Sequence, residues 1–216
     1  MSLLLSGLHT LIGLVVIVNP LLGVSAIAAL TAGDSRAHRA VTARYAAMTI
    51  AIVLIASALA GEFLLSLFGI GIPEFKVGGG ILILLMAISM LNARMGNTRH
   101  TPEEADEAAD KNQVGVVPLG IPLLAGPGAI SSAIIYAQKA GSIWGMGVLL
   151  LDIVVVALLT WLVMRSSDQL TRVIGQTGIN IATRIMGLIL SAIAISFMAA
   201  GLKTLFPILG QSGAPL

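Results

Sequence analysis

The chain has 216 residues, 57% of them hydrophobic and only 10% charged, where soluble domains carry about a quarter charged residues. That composition excludes an ordinary soluble domain, and a formal net charge of +2 gives nucleic acid no footing. With 0 cysteines, disulfides, thiol nucleophiles and thiolate metal sites are excluded as well.

Crossing the hydrocarbon layer takes about 20 apolar residues in helical form. Six runs approach or exceed that length: Leu3 to Thr31, Ala43 to Phe68, Val77 to Leu91, Val114 to Ala137, Gly145 to Met164, and Ile179 to Leu202. The first lacks the basic leading region and small-residue cleavage site of a secretory signal, so it is read as a true span. It contains "IVNPLLGVSAI", in which Asn19 and Pro20 interrupt the apolar run. Proline supplies no N–H and clashes with the preceding turn. From Leu3 to Thr31 the run is also long for one crossing, so two half-helices joined by an unwound segment fit it better than a straight rod. A re-entrant arrangement is the other geometry.

The second run carries Glu62 toward one end, and the third is short and rich in glycine, with Gly78, Gly79 and Gly80 suited to close helix packing. Next comes the polar segment "GNTRHTPEEADEAADKNQ", residues 96–113, read as a solvated linker. The fourth run contains "PLLAGPGAISSAII", with Gly126 and Pro127 in its interior. Asp152 lies toward the outer end of the fifth, in its first half, where an interfacial hydrogen bond or a part in proton coupling would account for it. The sixth carries "NIATR", which places Asn180, Thr183 and Arg184 inside an apolar stretch. Arg184 either attracts a substrate carboxylate, locks a gate, or snorkels to the interface.

Orientation follows from the basic residues, which are enriched on the cytoplasmic side. The loops after spans one, three and five, with their flanks, hold Arg36, Arg39, Arg44, Arg94, Arg99, Lys111, Arg165 and Arg172, against Lys76, Lys139 and Lys203 on the other side. Both termini are therefore expected outside the cytoplasm, which in a bacterial inner membrane means the periplasm.

Sliding the chain against itself until Gly13 meets Gly120 also brings Pro20, Ser25, Ala26 and Ile27 onto Pro127, Ser132, Ala133 and Ile134. In the same register Gly71, Gly80, Ala87 and Ser89 meet Gly178, Gly187, Ala194 and Ser196. This divides a single membrane domain, residues 1–216, into repeat one at 3–95, the linker at 96–113, repeat two at 114–204 and a short tail at 205–216. Three spans per copy would make the second copy enter from the opposite face, the inverted architecture of secondary transporters. The expected fold is all-α and polytopic, with six transmembrane helices in two inverted three-helix repeats and spans one and four interrupted near mid-membrane.

Each interruption exposes N–H groups at the start of one half-helix and carbonyls at the end of the other. A zwitterion needs both. The candidate substrate-binding residues are Asn19, Pro20, Gly23, Ser25, Gly126, Pro127, Gly128, Ser131 and Ser132, together with Thr183 and Arg184. The plainer alternative is a pair of proline kinks sealed by serine hydroxyls. No zincin helix, no spaced intramembrane carboxylates and no phosphate loop occur, so neither enzyme activity, a metal site nor a cofactor is expected.

"VNPLLG" in the first span, "GVVPLGIPLLAGPGAISSAII" in the fourth and "QTGINIATRIMGLILSAIAISFMAAGL" in the sixth resemble the MarC family of bacterial inner-membrane proteins. That family includes SnatA-type transporters of small neutral amino acids. The resemblance implies a six-helix fold in the lipid bilayer and transport of glycine, alanine or serine, coupled to a proton or sodium gradient. Export of another small solute or a drug, or a non-transporting role in assembly or partner binding, are the alternatives.

Overall fold

A computed structural model of the chain describes residues 3–31, 33–92, 114–117 and 119–210. The linker expected at 96–113 lies outside the described residues.

Helices α1 (Leu3–Val18) and α2 (Pro20–Leu30) are separated by Asn19 alone. Pro20 suits the first turn of α2, where its missing N–H costs nothing and its fixed φ already fits the helix. Helix α3 (Arg36–Leu67) is capped by Ser35, whose Oγ accepts from the His38 N–H at 3.2 Å. It starts ahead of the apolar run predicted from Ala43, because a cap serine and the helix-forming arginines that follow extend it beyond its apolar part. Helix α4 spans Ile72–Leu91 with Pro73 in its first turn. After a turn at 114–117 comes a six-residue π-helical segment, Leu119–Leu124, and then α5 (Pro127–Ala140), which ends at Gly141 with φ 62. Helix α6 (Ile143–Arg165) is capped by Ser142, and α7 (Ser167–Leu205) is interrupted at Gly175, where φ 71 is a conformation that glycine adopts without strain. A short 3-10 helix, Pro207–Gly210, follows.

Among the described residues, five segments are long and apolar enough to cross a membrane: Leu5–Leu30, Arg36–Leu67, Ile72–Leu91, Ile143–Arg165 and Ser167–Leu205. The fourth predicted span is not among them. Its residues are divided between the π-helical segment, in which Ile121 is non-helical, and the 14-residue α5. Gly120, Pro122, Gly126 and Pro127 crowd together there, too dense a set of helix breakers for one continuous helix.

The broken helices occupy the middle of the bundle. Leu14, Ile17, Val24 and Ile27 of α1 and α2 are fully or almost fully buried, as are Leu119, Leu124, Ala129 and Ile135 of the second break and α5. Large apolar side chains on the outer faces, among them Leu59, Phe63, Trp144 and Leu188, are exposed, as lipid contact requires of a spanning helix. Helices α1 and α2 pack on α6, while the π-helical segment and α5 pack on α3, so each broken helix rests on the second long helix of the other half. Helices α2 and α5 likewise contact α7 and α4 respectively.

The most extensive contact is between α4 and α7. Gly80 faces the carbonyl of Ala194, where a Cβ would come within 2.9 Å of the oxygen, and Gly187 faces the carbonyl of Ala87 at 3.1 Å by the same measure. The two helices therefore run antiparallel, with backbones brought together by small residues.

Candidate functional site

The first break is built by Asn19, which is 2% exposed and left-handed at φ 52 and ψ 76. Asparagine tolerates that region better than other non-glycine residues. Its backbone N–H closes α1 on the Val15 carbonyl at 2.9 Å. Its backbone carbonyl, at 3.0 Å, and its side-chain Oδ1, at 3.4 Å, both accept from the Leu22 N–H that opens α2. The remaining donor, Nδ2, reaches only the sulfur of Met90 at 4.0 Å, and a thioether is a weak acceptor.

At the second break Gly126 is extended, and its carbonyl accepts from the N–H groups of Ala129 at 2.9 Å and Ile130 at 3.0 Å. Ser132 is fully buried and donates to the Gly128 carbonyl at 2.8 Å. The N–H groups of Leu22, Ala129 and Ile130, in the first turns of the two half-helices, are thus engaged within the chain in this conformation.

The two breaks converge. Gly23 lies against Met164 of α6 and Leu124 of the π-helical segment, with a notional Cβ 3.1 Å from the Met164 sulfur and 3.5 Å from Leu124 Cδ1. Gly128 faces Met86 and Ile83 of α4, and Ser131 faces Gly79. Met86 and Met90, one turn apart on α4, therefore reach one break each. Unbranched and flexible, methionines fill irregular gaps and can leave them at small cost.

Of the sequence-predicted residues, Asn19, Pro20, Gly23, Gly126, Pro127, Gly128, Ser131 and Ser132 all belong to the two breaks or the first two turns after them. Pro20 is buried and Pro127 exposed. Ser25, at the position of α2 that Ser132 holds in α5, accepts from Gln176 Nε2 at 3.3 Å, just past the Gly175 kink. Thr183 is buried within α7, whereas Arg184 is exposed on its outer face and is not brought to the breaks.

None of these residues lines the cavity of about 630 Å³ that opens between α1, α5, α6 and α7. Its polar wall includes His9, Thr10, Tyr136, Lys139, Asp152 and Ser196. The ring of Tyr136 meets that of Phe197 edge-on, with centroids 5.6 Å apart. Lys139 counted in the sequence only as a loop charge, and Tyr136 carried no signal. At the opposite end of the bundle, Arg39 donates to Asp168 at 2.7 Å and to the Thr31 carbonyl at 3.3 Å, tying the turn after α2 to the start of α7.

Comparison with known proteins places this arrangement in a family. The profile described as MarC family integral membrane protein matches residues 5–206. The chain is 40% identical to the UPF0056 membrane protein YhcE of Escherichia coli K12, with 91% of each chain covered. It is 34% identical to the UPF0056 membrane protein YvbG of Bacillus subtilis, covering 93% of this chain and 96% of that one. Identity to the UPF0056 membrane protein MJ0972 of Methanocaldococcus jannaschii is 32%, over 95% and 90% of the two chains. No solved structure matches it. The chain belongs to the MarC family of integral membrane proteins.

Proposed function

We propose that this protein is a secondary transporter of small neutral amino acids of the glycine, alanine and serine class, working by alternating access. The observation that carries this reading is the convergence, in the middle of the bundle, of two helix breaks that occupy equivalent positions in the two repeats. Discontinuous helices in a membrane supply backbone dipoles of both signs where a zwitterion needs them. Asn19 Nδ2, weakly held by the Met90 sulfur, is a donor free to turn to a substrate carboxylate. Buried glycines and the small Ser131 and Ser132 leave room for little more than a methyl or hydroxymethyl side chain, once the methionines of α4 withdraw.

In this reading the π-helical segment and α5 together make the fourth crossing, and the two halves are inverted repeats. The reciprocal pairs Gly80 with Ala194 and Gly187 with Ala87 support it, because exchanging the halves in the register of the repeat turns one pair into the other. Arginine enrichment at the end marked by Arg36, Arg39 and Arg165 assigns that end to the cytoplasm of a bacterial inner membrane, with both termini periplasmic. The cavity then opens outward and the Arg39 to Asp168 pair closes the inner side. Energy comes from a proton or sodium gradient, and no catalytic step is involved.

A survey of free amino acids against the purified protein tests the ligand class. Glycine, alanine or serine should raise the melting temperature in a saturable way while tryptophan and lysine do not. Stabilisation by none of the small amino acids would remove the basis for this assignment.

A further inference from the structure

Two opposite charges share the cavity without meeting. Asp152 of α6 is 7% exposed and forms part of the wall, and its Oδ2 has no hydrogen-bond partner among the described residues. Lys139, near the end of α5, lines the same cavity with its Nζ 5.0 Å from the Phe197 ring centroid and 5.8 Å from that of Tyr136. No ion pair joins Lys139 to Asp152 among the described residues, where the pairs are His38 with Asp34 and Arg39 with Asp168.

Leaving a buried carboxylate oxygen without a donor is costly, so the site favours something that brings one. An ammonium group brings three. Lys139 rests on aromatic faces, which attract its charge without taking up its N–H donors in strong hydrogen bonds. The other polar groups of α1 in this wall are already engaged, His9 Nδ1 with the Leu5 carbonyl at 2.8 Å and Thr10 with the Ser6 carbonyl at 3.1 Å. The wall thus holds a carboxylate oxygen without a donor and a cation, with the Tyr136 and Ser196 hydroxyls beside them, around a space whose volume falls in the range of roughly 300–1,000 Å³ typical of small-molecule sites.

We propose that this cavity is an outer subsite for the zwitterion of a small α-amino acid, its ammonium held by the Asp152 carboxylate and its carboxylate by the Lys139 ammonium. The ligand class rests on the transport reading; the location does not coincide with the breaks. Thr10 precedes Asn19 on α1 by the same interval that separates Tyr136 from Pro127 on α5, about 14 Å of helix rise in each case. Between the two levels the Tyr136 hydroxyl packs against Gly13, where there is no space for a Cβ. A ligand in the cavity therefore waits above a closed floor, and moves on when Tyr136 leaves Gly13.

Because the chain has 0 cysteines, a single Ala192→Cys substitution in the cavity wall reports on occupancy through its rate of reaction with a maleimide in the full-length protein. Saturating L-alanine should slow that reaction. Alaninamide and propionate, each carrying one of the two charges, should slow it far less. Adding Asp152→Asn or Lys139→Gln should weaken the alanine effect about tenfold or more in half-saturating concentration, the loss expected for a charge-assisted hydrogen bond. No reaction at position 192, a reaction that alanine leaves unchanged, or protection that survives both substitutions overturns the subsite. Alanine counterflow by the unsubstituted protein, run alongside, separates the two ideas. Counterflow without protection leaves transport standing and removes the subsite, and protection without counterflow keeps the subsite and removes transport.

Discussion

Gly80 lies against the backbone of Ala194 so closely that a Cβ would stand 2.9 Å from its carbonyl oxygen. Helix α4 cannot retreat without losing its contact with α7, and a carbonyl cannot rotate away as a side chain can. Gly80→Ala and Gly187→Ala should each destabilise the protein, by about 1–3 kcal/mol for overpacking. Gly78, on the same helix, has nothing within 4 Å of its notional Cβ, and Gly78→Ala should be neutral or slightly stabilising. Melting curves in detergent compare the three directly.

Asn19 combines a backbone conformation and a side-chain contact, and two substitutions separate them. Asn19→Gly keeps φ 52 accessible and removes the amide, whereas Asn19→Ala removes the amide and strains the backbone by about 1–2 kcal/mol. If the amide serves substrate, both variants should lose alanine affinity, about tenfold, while only the alanine variant loses much thermal stability. Equal loss of stability in both, with affinity retained, would make Asn19 purely a cap.

The pair Arg39 and Asp168 is part exposed, so its contribution to stability is below about 1 kcal/mol. Its position gives it another use, since it links the turn after α2 to the start of α7. Asp168→Asn should leave the melting temperature nearly unchanged. It should also speed thiol labelling of a Ser25→Cys variant, by up to about fivefold, as the inner end opens more often.

Orientation is open to the same chemistry. Trp144 is 78% exposed at the start of α6 and Val173 is 85% exposed near the start of α7. In intact cells an impermeant maleimide should label Trp144→Cys and spare Val173→Cys until the membrane is permeabilised. The opposite pattern would invert the topology inferred from the arginines.

Much of this architecture was legible because glycine and proline act locally. Asn19 with Pro20, and Gly126 with Pro127, predicted two interruptions from backbone chemistry alone, and both occur. The register that pairs Gly80 with Gly187 and Ala87 with Ala194 turns the contact of Gly80 with Ala194 into that of Gly187 with Ala87, so the repeated small residues lie at one helix contact. Span counting did less well at Val114 to Ala137, where apolar composition concealed a density of helix breakers that only a 14-residue helix survives. The cavity could not be read at all. Lys139 and Asp152 stand on different helices with a turn between them, and their common wall is completed by α1 and α7, so no local spacing announces it. Arg184 shows the converse, a charge inside an apolar run that faces outward from an uncrowded helix surface.

Transport itself is most directly measured by counterflow. Purified protein in liposomes loaded with unlabelled alanine should concentrate labelled alanine or glycine transiently above its external level. Gly128→Leu should abolish this, because its side chain would fill the space that Met86 and Ile83 share with the second break. A protein that folds, inserts and accumulates no small neutral amino acid, under exchange or under a proton or sodium gradient, would contradict the proposed function.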